Sequence, residues 1–219
     1  MVKGVIFDMD GLMFDTERLS TMAWKEIGKT MDFPISEKFI LNLQGRTSSA
    51  IHEIFMETYG QDFPYEKARG LRLKFMDDYM EEYGVPEKDG LKELLSFLKA
   101  NGIKAAVATS AGRERAEKTL VMAGVREYFR DMVTGDEVVN SKPNPEIFQT
   151  AARKLGLEPS ECLVLEDSRQ GVMAGKAAGG YIIHIPDMVV IPEEVKEGIT
   201  AQMESLREVI PWIEKQNKN

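Results

Sequence analysis

The amino-acid sequence predicts an α/β fold: a doubly wound, Rossmann-like parallel sheet forms the core, and an all-helical cap is inserted after the first strand. Short apolar runs rich in Val and Ile recur along the chain and end abruptly at polar or glycine residues, which is typical of buried parallel strands. Helical patterns lie between these runs and stop at glycine or Asn-Gly. This alternation indicates a doubly wound sheet.

Five apolar runs are predicted to form strands, and they cover residues 2–7, 103–108, 132–133, 162–165 and 181–185. The predicted helices of the core follow the repeat of Leu91, Leu94, Leu95 and Leu98, and then occupy residues 113–123, 145–155 and 168–178. The spacing of three, four and three between the leucines places all four on one helix face. The order of these elements is therefore that of an open parallel sheet.

Residues 17–83 break the alternation, because they contain helical patterns but no convincing strand. The patterns cover 19–27, 48–59 and 65–83. We therefore predict a helical cap domain at 17–83 and a catalytic core made of 1–16 and 84–219, with linkers near Asp15-Thr16 and at 85–89. An insert that leaves directly after the first strand is expected to stand over the C-terminal ends of the strands, where ligands of open α/β sheets bind.

Composition excludes several classes of function. The formal net charge of -8 argues against a partner that is a nucleic acid polymer, because phosphate backbones reward clustered Lys and Arg. Cys162 is the only cysteine, so no intramolecular disulfide can form. No stretch approaches the roughly 20 apolar residues of a membrane span, and the N-terminal run lacks the pattern of a signal peptide. We expect a cytoplasmic monomer with no membrane partner.

Polar residues at the ends of the predicted strands or in the loops that follow them indicate a single site, because the ends of parallel strands converge on one edge of a sheet. They are Asp8, Asp10, Thr109, Lys142, Glu166 and Asp167. Four carboxylates placed close together repel one another, so a cation is expected among them. Oxygen ligands favour Mg²⁺. A Mg²⁺ ion beside a lysine predicts a site for the dianion of a small phosphorylated metabolite.

Four segments carry a resemblance to a known family. Val5-Ile6-Phe7-Asp8-Met9-Asp10-Gly11 resembles the D-x-D-G signature of the haloacid dehalogenase-like phosphatases. Residues 108–110, 141–148 and 165–171 resemble the second motif, the lysine motif and the acidic motif of that family. The resemblance covers nearly the whole chain, with the motifs in the expected order. It is closest to the β-phosphoglucomutase-like and pseudouridine-5'-phosphatase-like branch, which has a helical cap.

The resemblance implies a role for each residue. Asp8 is the expected nucleophile, and Asp10 is the expected general acid and base. Thr109 and Lys142 are expected to hold the transferring phosphoryl group. Substrate contacts are expected from the amides of Met9 and Ser110 and from Arg46 in the cap loop. The Mg²⁺ ligands of the family correspond to Asp8, Glu166 and Asp167 with the main-chain carbonyl of Asp10.

Three activities fit this pattern. The first is a Mg²⁺-dependent phosphatase that hydrolyses a sugar, polyol or nucleoside phosphate through a phospho-aspartate. The second is a mutase of the β-phosphoglucomutase type, but Ser20 and Ser48 stand where that enzyme typically has a histidine and an arginine. The third is a degenerate binding or regulatory protein, which would generally lose the nucleophile or the acid. His52 and His184 are isolated and are interpreted as packing or surface residues.

Overall fold

The chain divides into two compact units. The computed structural model describes residues 1–43 and 48–218, with the side chain of Ser48 left undescribed. One unit contains Met1–Asp15 and Pro86–Asn219, and the other contains Thr16–Val85. The assignment of these units as catalytic core and cap stays a prediction, and each unit is described separately below.

The larger unit is built on a six-stranded sheet in the order β3-β2-β1-β4-β5-β6, with every adjacent pair parallel. The strands are β1 (Gly4–Phe7), β2 (Lys104–Thr109), β3 (Asp131–Thr134), β4 (Cys162–Glu166), β5 (Tyr181–His184) and β6 (Ala201–Gln202). The strand order reverses at β1, which lies in the middle of the sheet. This arrangement confirms the predicted doubly wound α/β fold.

Both faces of the sheet are buried, as a parallel sheet requires. Ile6, Ala106 and Val164 belong to one apolar cluster, and their strand neighbours Phe7 and Val107 are buried outside that cluster. Successive residues of a strand point to opposite faces, so apolar side chains cover both sides of β1 and β2. This explains why the strands appear in the sequence as continuous apolar runs.

Six α-helices belong to the described part of the larger unit. They are α5 (Leu91–Ala100), α6 (Arg113–Met122), α7 (Glu146–Leu155), α8 (Arg169–Ala178), α9 (Glu193–Lys196) and α10 (Val209–Lys218). Three single turns of 3-10 helix occupy Arg126–Tyr128, Pro159–Glu161 and Leu206–Glu208. Helices α7 and α8 pack their buried faces into the cluster that contains Ile6, and glycines end both helices in the left-handed conformation.

The smaller unit is helical throughout its described part. Its helices are α1 (Thr16–Thr30), α2 (Glu37–Leu41), α3 (Ser48–Tyr59) and α4 (Tyr65–Tyr83). An aromatic cluster forms the core of this unit: Phe55 is completely buried and lies 4.7 Å from Trp24, measured between ring centroids. Phe39, Tyr59 and Phe63 surround Phe55 at centroid distances of 5.1–5.6 Å. Aromatic burial on this scale gives the unit a core of its own.

Several observed elements have no counterpart among the predicted ones, namely α2, α9, α10 and β6. Helices α2 and α9 span five and four residues, which is too short for a periodic apolar pattern. Strand β6 contains two residues. Helix α10 includes Pro211 in its first turn, where a missing N–H costs no helical hydrogen bond, so this proline does not end the helix.

No helix within the described ranges is long and apolar enough to cross a membrane.

Candidate active site

The register of the central strands brings the predicted polar residues together. Phe7 on β1 is paired with Val107 on β2 and with Leu165 on β4. The next residues, Asp8, Ala108 and Glu166, therefore lie side by side at the C-terminal edge of the sheet. The amide of Asp8 continues the ladder by donating to the carbonyl of Leu165 at 3.1 Å. The edge of the site is thus defined by the first residue beyond the apolar runs of β1 and β4 and by the last residue of the run of β2.

Lys142 reaches this edge from the loop that precedes α7. Its Nζ donates to Asp8 Oδ1 at 2.5 Å, to Glu166 Oε1 at 2.7 Å and to the carbonyl of Ala108 at 3.1 Å. An ammonium group has three N–H donors, and these three acceptors use all of them. The side chain of Lys142 is 5% exposed, and Nζ also lies 4.9 Å from the ring centroid of Phe148. Lys142 is therefore a buried cation held at one position.

Burial dominates the electrostatics of this group. It raises the pKa of Asp8 to about 8, although the Lys142 ammonium acts in the opposite direction, and the neighbouring carboxylates of Glu166 and Asp10 add to the rise. Burial would lower the pKa of Lys142, but Asp8 and Glu166 outweigh burial and raise it. One ammonium facing two ionised carboxylates leaves one negative charge uncompensated. A proton on Asp8 or a second cation nearby can neutralise that charge.

Glu166 is anchored on both of its oxygens. Oε1 accepts from Lys142, and Oε2 accepts from the amide of Ser168 at 2.8 Å and from its hydroxyl at 3.0 Å. A Cβ atom on Gly171, in the first turn of α8, would overlap the Glu166 carboxylate. Glu166 therefore holds Lys142 in place, and its expected role as a metal ligand stays a prediction.

Asp167 approaches the loop that follows β1 because Gly11 has no side chain. Gly11 has a φ of +89°, and a Cβ atom at this position would clash with Asp167 Oδ2. The amide of Gly11 donates to the carbonyl of Phe14 at 2.8 Å and closes the turn. The carboxylate of Asp167 is consequently placed against the segment that carries Asp8 and Asp10.

The donor atoms of this edge fit Mg²⁺, which takes oxygen ligands and is commonly held by one or two carboxylates. Asp8 and Asp167 supply carboxylates, and the resemblance adds the main-chain oxygen of Asp10. Within residues 1–43 and 48–218, no three Asp, Glu, His or Cys side chains are arranged to hold a metal ion. The carboxylate of Glu166 is turned toward Lys142 and Ser168. The fit thus rests on two side chains and a carbonyl.

The other predicted residues lie on the same segments. Thr109 is buried at the end of β2, and its Oγ1 accepts from the amide of Ala111 at 3.1 Å. Ser110 follows it with an exposed side chain. Met9 is buried and Asp10 is partly exposed, both directly after Asp8. Arg46 lies outside the described residues. Their roles in catalysis and substrate binding stay predictions.

Several residues that hold the side chains of the site in place were not predicted from the sequence. Ser168 is the N-cap of α8 and accepts from the amide of Gly171 at 3.0 Å, and a serine before a helical pattern was an available signal. Lys88 forms an ion pair of 2.7 Å with Asp187, whose side chain is 3% exposed and lies near Gly11. Because 99 residues separate Lys88 from Asp187, no local pattern could have indicated this pair.

We expect Gly171→Ala to destabilise the protein by about 1–3 kcal/mol, because the new methyl group overlaps the buried Glu166 carboxylate. Gly70→Ala is the matched control, since Gly70 is an exposed residue of α4 with open space around its Cα. The free energy of unfolding of this control should rise by up to about 1 kcal/mol, because alanine has a higher helix propensity than glycine. Urea unfolding of both variants measures the difference. Equal stabilities would contradict the close packing of Gly171 against Glu166.

Comparison with known proteins identifies relatives that share most of the chain. A "Probable pseudouridine-5'-phosphatase" of Drosophila melanogaster is 37% identical over 83% of this chain and 80% of its own length. The "Phosphorylated carbohydrates phosphatase" of Thermotoga maritima is 33% identical over 81% of this chain and 82% of its own length. The "Beta-phosphoglucomutase" of Bacillus subtilis is 30% identical over 84% of this chain and 83% of its own length.

The family model for haloacid dehalogenase-like hydrolases matches residues 5–185, which include all four sequence motifs, the strands β2 to β5 and all of β1 except Gly4. This match confirms the resemblance drawn from the motifs and the prediction that the protein is an enzyme. The chain belongs to the haloacid dehalogenase-like hydrolase family.

Proposed function

We propose that the protein is a Mg²⁺-dependent phosphatase that hydrolyses a small phosphate monoester through a phospho-aspartate intermediate. The observation that carries this proposal is the placement of Lys142 Nζ between Asp8 and Glu166, at 2.5 and 2.7 Å. A carboxylate at a strand end, next to a fixed ammonium, can receive a phosphoryl group whose negative charge the ammonium offsets. Phosphatases among the relatives support the same reaction class.

In the first step, an oxygen of Asp8 attacks phosphorus and the ester P–O bond breaks. The departing alkoxide takes a proton from Asp10, so the alcohol leaves in its neutral form. Lys142 remains beside the phosphoryl group and balances part of its charge. The product of this step is an acyl phosphate on Asp8, which divides one difficult hydrolysis into two easier steps.

In the second step, the carboxylate of Asp10 takes a proton from a water molecule as that water attacks phosphorus. The bond between phosphorus and the Asp8 oxygen breaks, inorganic phosphate leaves, and Asp8 is again a carboxylate. Asp10 returns to its protonated form for the next cycle. Thr109 and the amides of Met9 and Ser110 are proposed to hold the non-reacting phosphoryl oxygens throughout.

Asp8, Asp167 and the carbonyl of Asp10 are the proposed holders of Mg²⁺, with Glu166 as the remaining candidate from the resemblance. When bound, this ion polarises the phosphoryl oxygens and lowers the charge that the nucleophile must approach. A second cation would also balance the negative charge of the site, where the single ammonium of Lys142 faces the two carboxylates of Asp8 and Glu166.

We propose that the substrate is the phosphate of a sugar, polyol or nucleoside. We also propose that residues of the helical unit determine the specificity for one of these classes. The Thermotoga relative is named as a phosphatase of phosphorylated carbohydrates. The Drosophila relative is named as a probable pseudouridine-5'-phosphatase, and pseudouridine is a nucleoside. Arg46 is proposed to contact the substrate. A screen of these three classes, scored by released phosphate, tests the assignment directly.

The rival activity is a phosphosugar mutase, and one observation favours it. Arg72 Nη1 donates to Ser20 Oγ at 3.0 Å, and the Arg72 guanidinium lies 5.3 Å from the ring centroid of Trp24. A fixed cation therefore stands beside the position where a mutase typically has a histidine. The Bacillus relative carries the name of this mutase. A mutase must hold a second phosphate, which a cation in the helical unit could bind.

We expect Asp8→Asn to reduce turnover of p-nitrophenyl phosphate to background, because an amide is nearly isosteric with the carboxylate but a poor nucleophile. Asp10→Asn should slow hydrolysis of a sugar phosphate by about 10²–10⁴-fold. The same variant should affect p-nitrophenyl phosphate much less, because its leaving group needs little proton donation. Steady-state rates on both substrates test this. A normal rate for pure Asp8→Asn would mean that another residue attacks phosphorus.

Chelation with EDTA should stop the wild-type enzyme, and added Mg²⁺ should restore it. Asp167→Ala should weaken Mg²⁺ binding, because one of the two proposed carboxylate ligands is removed. Asp131→Asn is the control, since Asp131 lies at the start of β3 and pairs with Lys154 at the surface. Titration calorimetry with Mg²⁺ alone separates binding from turnover. Full activity after rigorous chelation would rule out the metal.

Incubation with β-glucose 1-phosphate, Mg²⁺ and a catalytic amount of the bisphosphate distinguishes the two activities. We expect free phosphate or no reaction, because the chain has Ser20 and Ser48 at the two positions where a mutase typically has a histidine and an arginine. Glucose 6-phosphate and inorganic phosphate are measured in the same samples. Rapid formation of glucose 6-phosphate without phosphate release would overturn the phosphatase assignment, and Arg72→Ala and Arg46→Ala would then identify the cation responsible.

A further inference from the structure

His184 is a buried polar side chain at the edge of the candidate active site that the proposed steps do not use. It is the last residue of β5 and is 1% exposed. The strand register pairs it with Glu166 on β4 and with Gln202 on β6. From the sequence, His184 is interpreted as a packing or surface residue. Its place beside the acidic segment suggests a more specific role.

The ring of His184 contacts the main chain of Asp167. Nε2 lies 3.1 Å from the Asp167 carbonyl oxygen. A carbonyl oxygen can only accept a hydrogen bond, so Nε2 must carry the hydrogen. The contact therefore selects the tautomer that is protonated on Nε2.

This bond acts on a turn whose other groups are already fixed. On the side of β5, the amide of Ile185 donates to the Glu166 carbonyl at 2.9 Å. On the side of α8, the amide and hydroxyl of Ser168 bind Glu166 Oε2. The peptide between Asp167 and Ser168 lies between these anchors. His184 supplies the hydrogen bond to the carbonyl of that peptide, and the peptide orientation sets the direction of the Asp167 side chain.

We propose that His184 is a positioning residue that holds the Asp167 main chain, and thereby keeps the Asp167 carboxylate against Gly11, where it can bind a divalent cation. This inference rests on the proposed function, because it assigns Asp167 to Mg²⁺. Loss of a hydrogen bond that orients a metal ligand from outside the ligand set typically costs about 10–100-fold in metal affinity. His184 acts through Asp167 and does not touch the substrate.

The test compares His184→Leu with His184→Gln. The leucine side chain removes the N–H, whereas the glutamine Nε2 lies the same number of bonds from Cα as the histidine Nε2 and can keep the hydrogen bond. Ile182→Val is the matched control, since Ile182 is a buried residue of the same strand that packs against Gly175 and is paired with Val164, three residues before Asp167. Titration with Mg²⁺ alone gives the dissociation constant of each protein, and urea unfolding gives its stability.

We expect His184→Leu to weaken Mg²⁺ binding by about 10-fold or more, and His184→Gln to stay within about 3-fold of wild type. Ile182→Val should lose stability but keep wild-type affinity for Mg²⁺. Wild-type affinity in His184→Leu, or an equal loss in both His184 variants, would overturn the inference while leaving the proposed function intact. Failure of the wild-type protein itself to bind Mg²⁺ would overturn both.

A second measurement does not depend on the folding of the leucine variant. The chain contains two histidines, so imidazole nitrogen spectra of the wild type and of His52→Gln assign the signals of His184. We expect a hydrogen on Nε2 at pH 7. A ring protonated on Nδ1 alone would overturn the inference, because Nε2 could then not donate to Asp167.

Discussion

The buried ammonium of Lys142 is the group on which the arrangement of the site depends. Its three hydrogen bonds join the ends of β1, β2 and β4 through Asp8, the Ala108 carbonyl and Glu166. Two carboxylates could not both be ionised at this depth without a cation between them, because desolvation and mutual repulsion each favour the protonated acid. Lys142 therefore permits the acidic edge to exist, and at the same time places positive charge where a phosphate dianion would arrive.

The supporting contacts each serve this cation or its partners. Ser168 and Gly171 orient Glu166, one through hydrogen bonds and the other through the absence of a side chain. Gly11 admits Asp167 beside the loop that carries Asp8 in the same way. Substitution of Gly171 or Gly11 is expected to destabilise the site, because even one added methyl group would overlap a carboxylate. The site is thus built from close approach of main chain and acid side chains, and the proposed Mg²⁺ would complete its balance of charge.

The helical unit follows a different design, because its core is built around an aromatic cluster. Phe55 stands at the centre, and Trp24 extends the cluster toward Arg72. Aromatic packing gives a rigid body from few residues. The proposed function assigns chemistry to the larger unit and recognition to the helical unit, so the two could change independently among relatives that carry the names of phosphatases and of a mutase.

The sequence by itself determined the order of the parallel strands along the chain and the polar residues that end them, because apolar runs stopping at Asp8, Thr109 and Glu166 are local signals. It also determined the family, since the four motifs are contiguous segments. Only the tertiary structure decided that Glu166 faces Lys142, and that His184 binds the main chain of Asp167. These contacts join separate strands and loops, and side-chain direction at a strand end depends on packing between elements that no local pattern records.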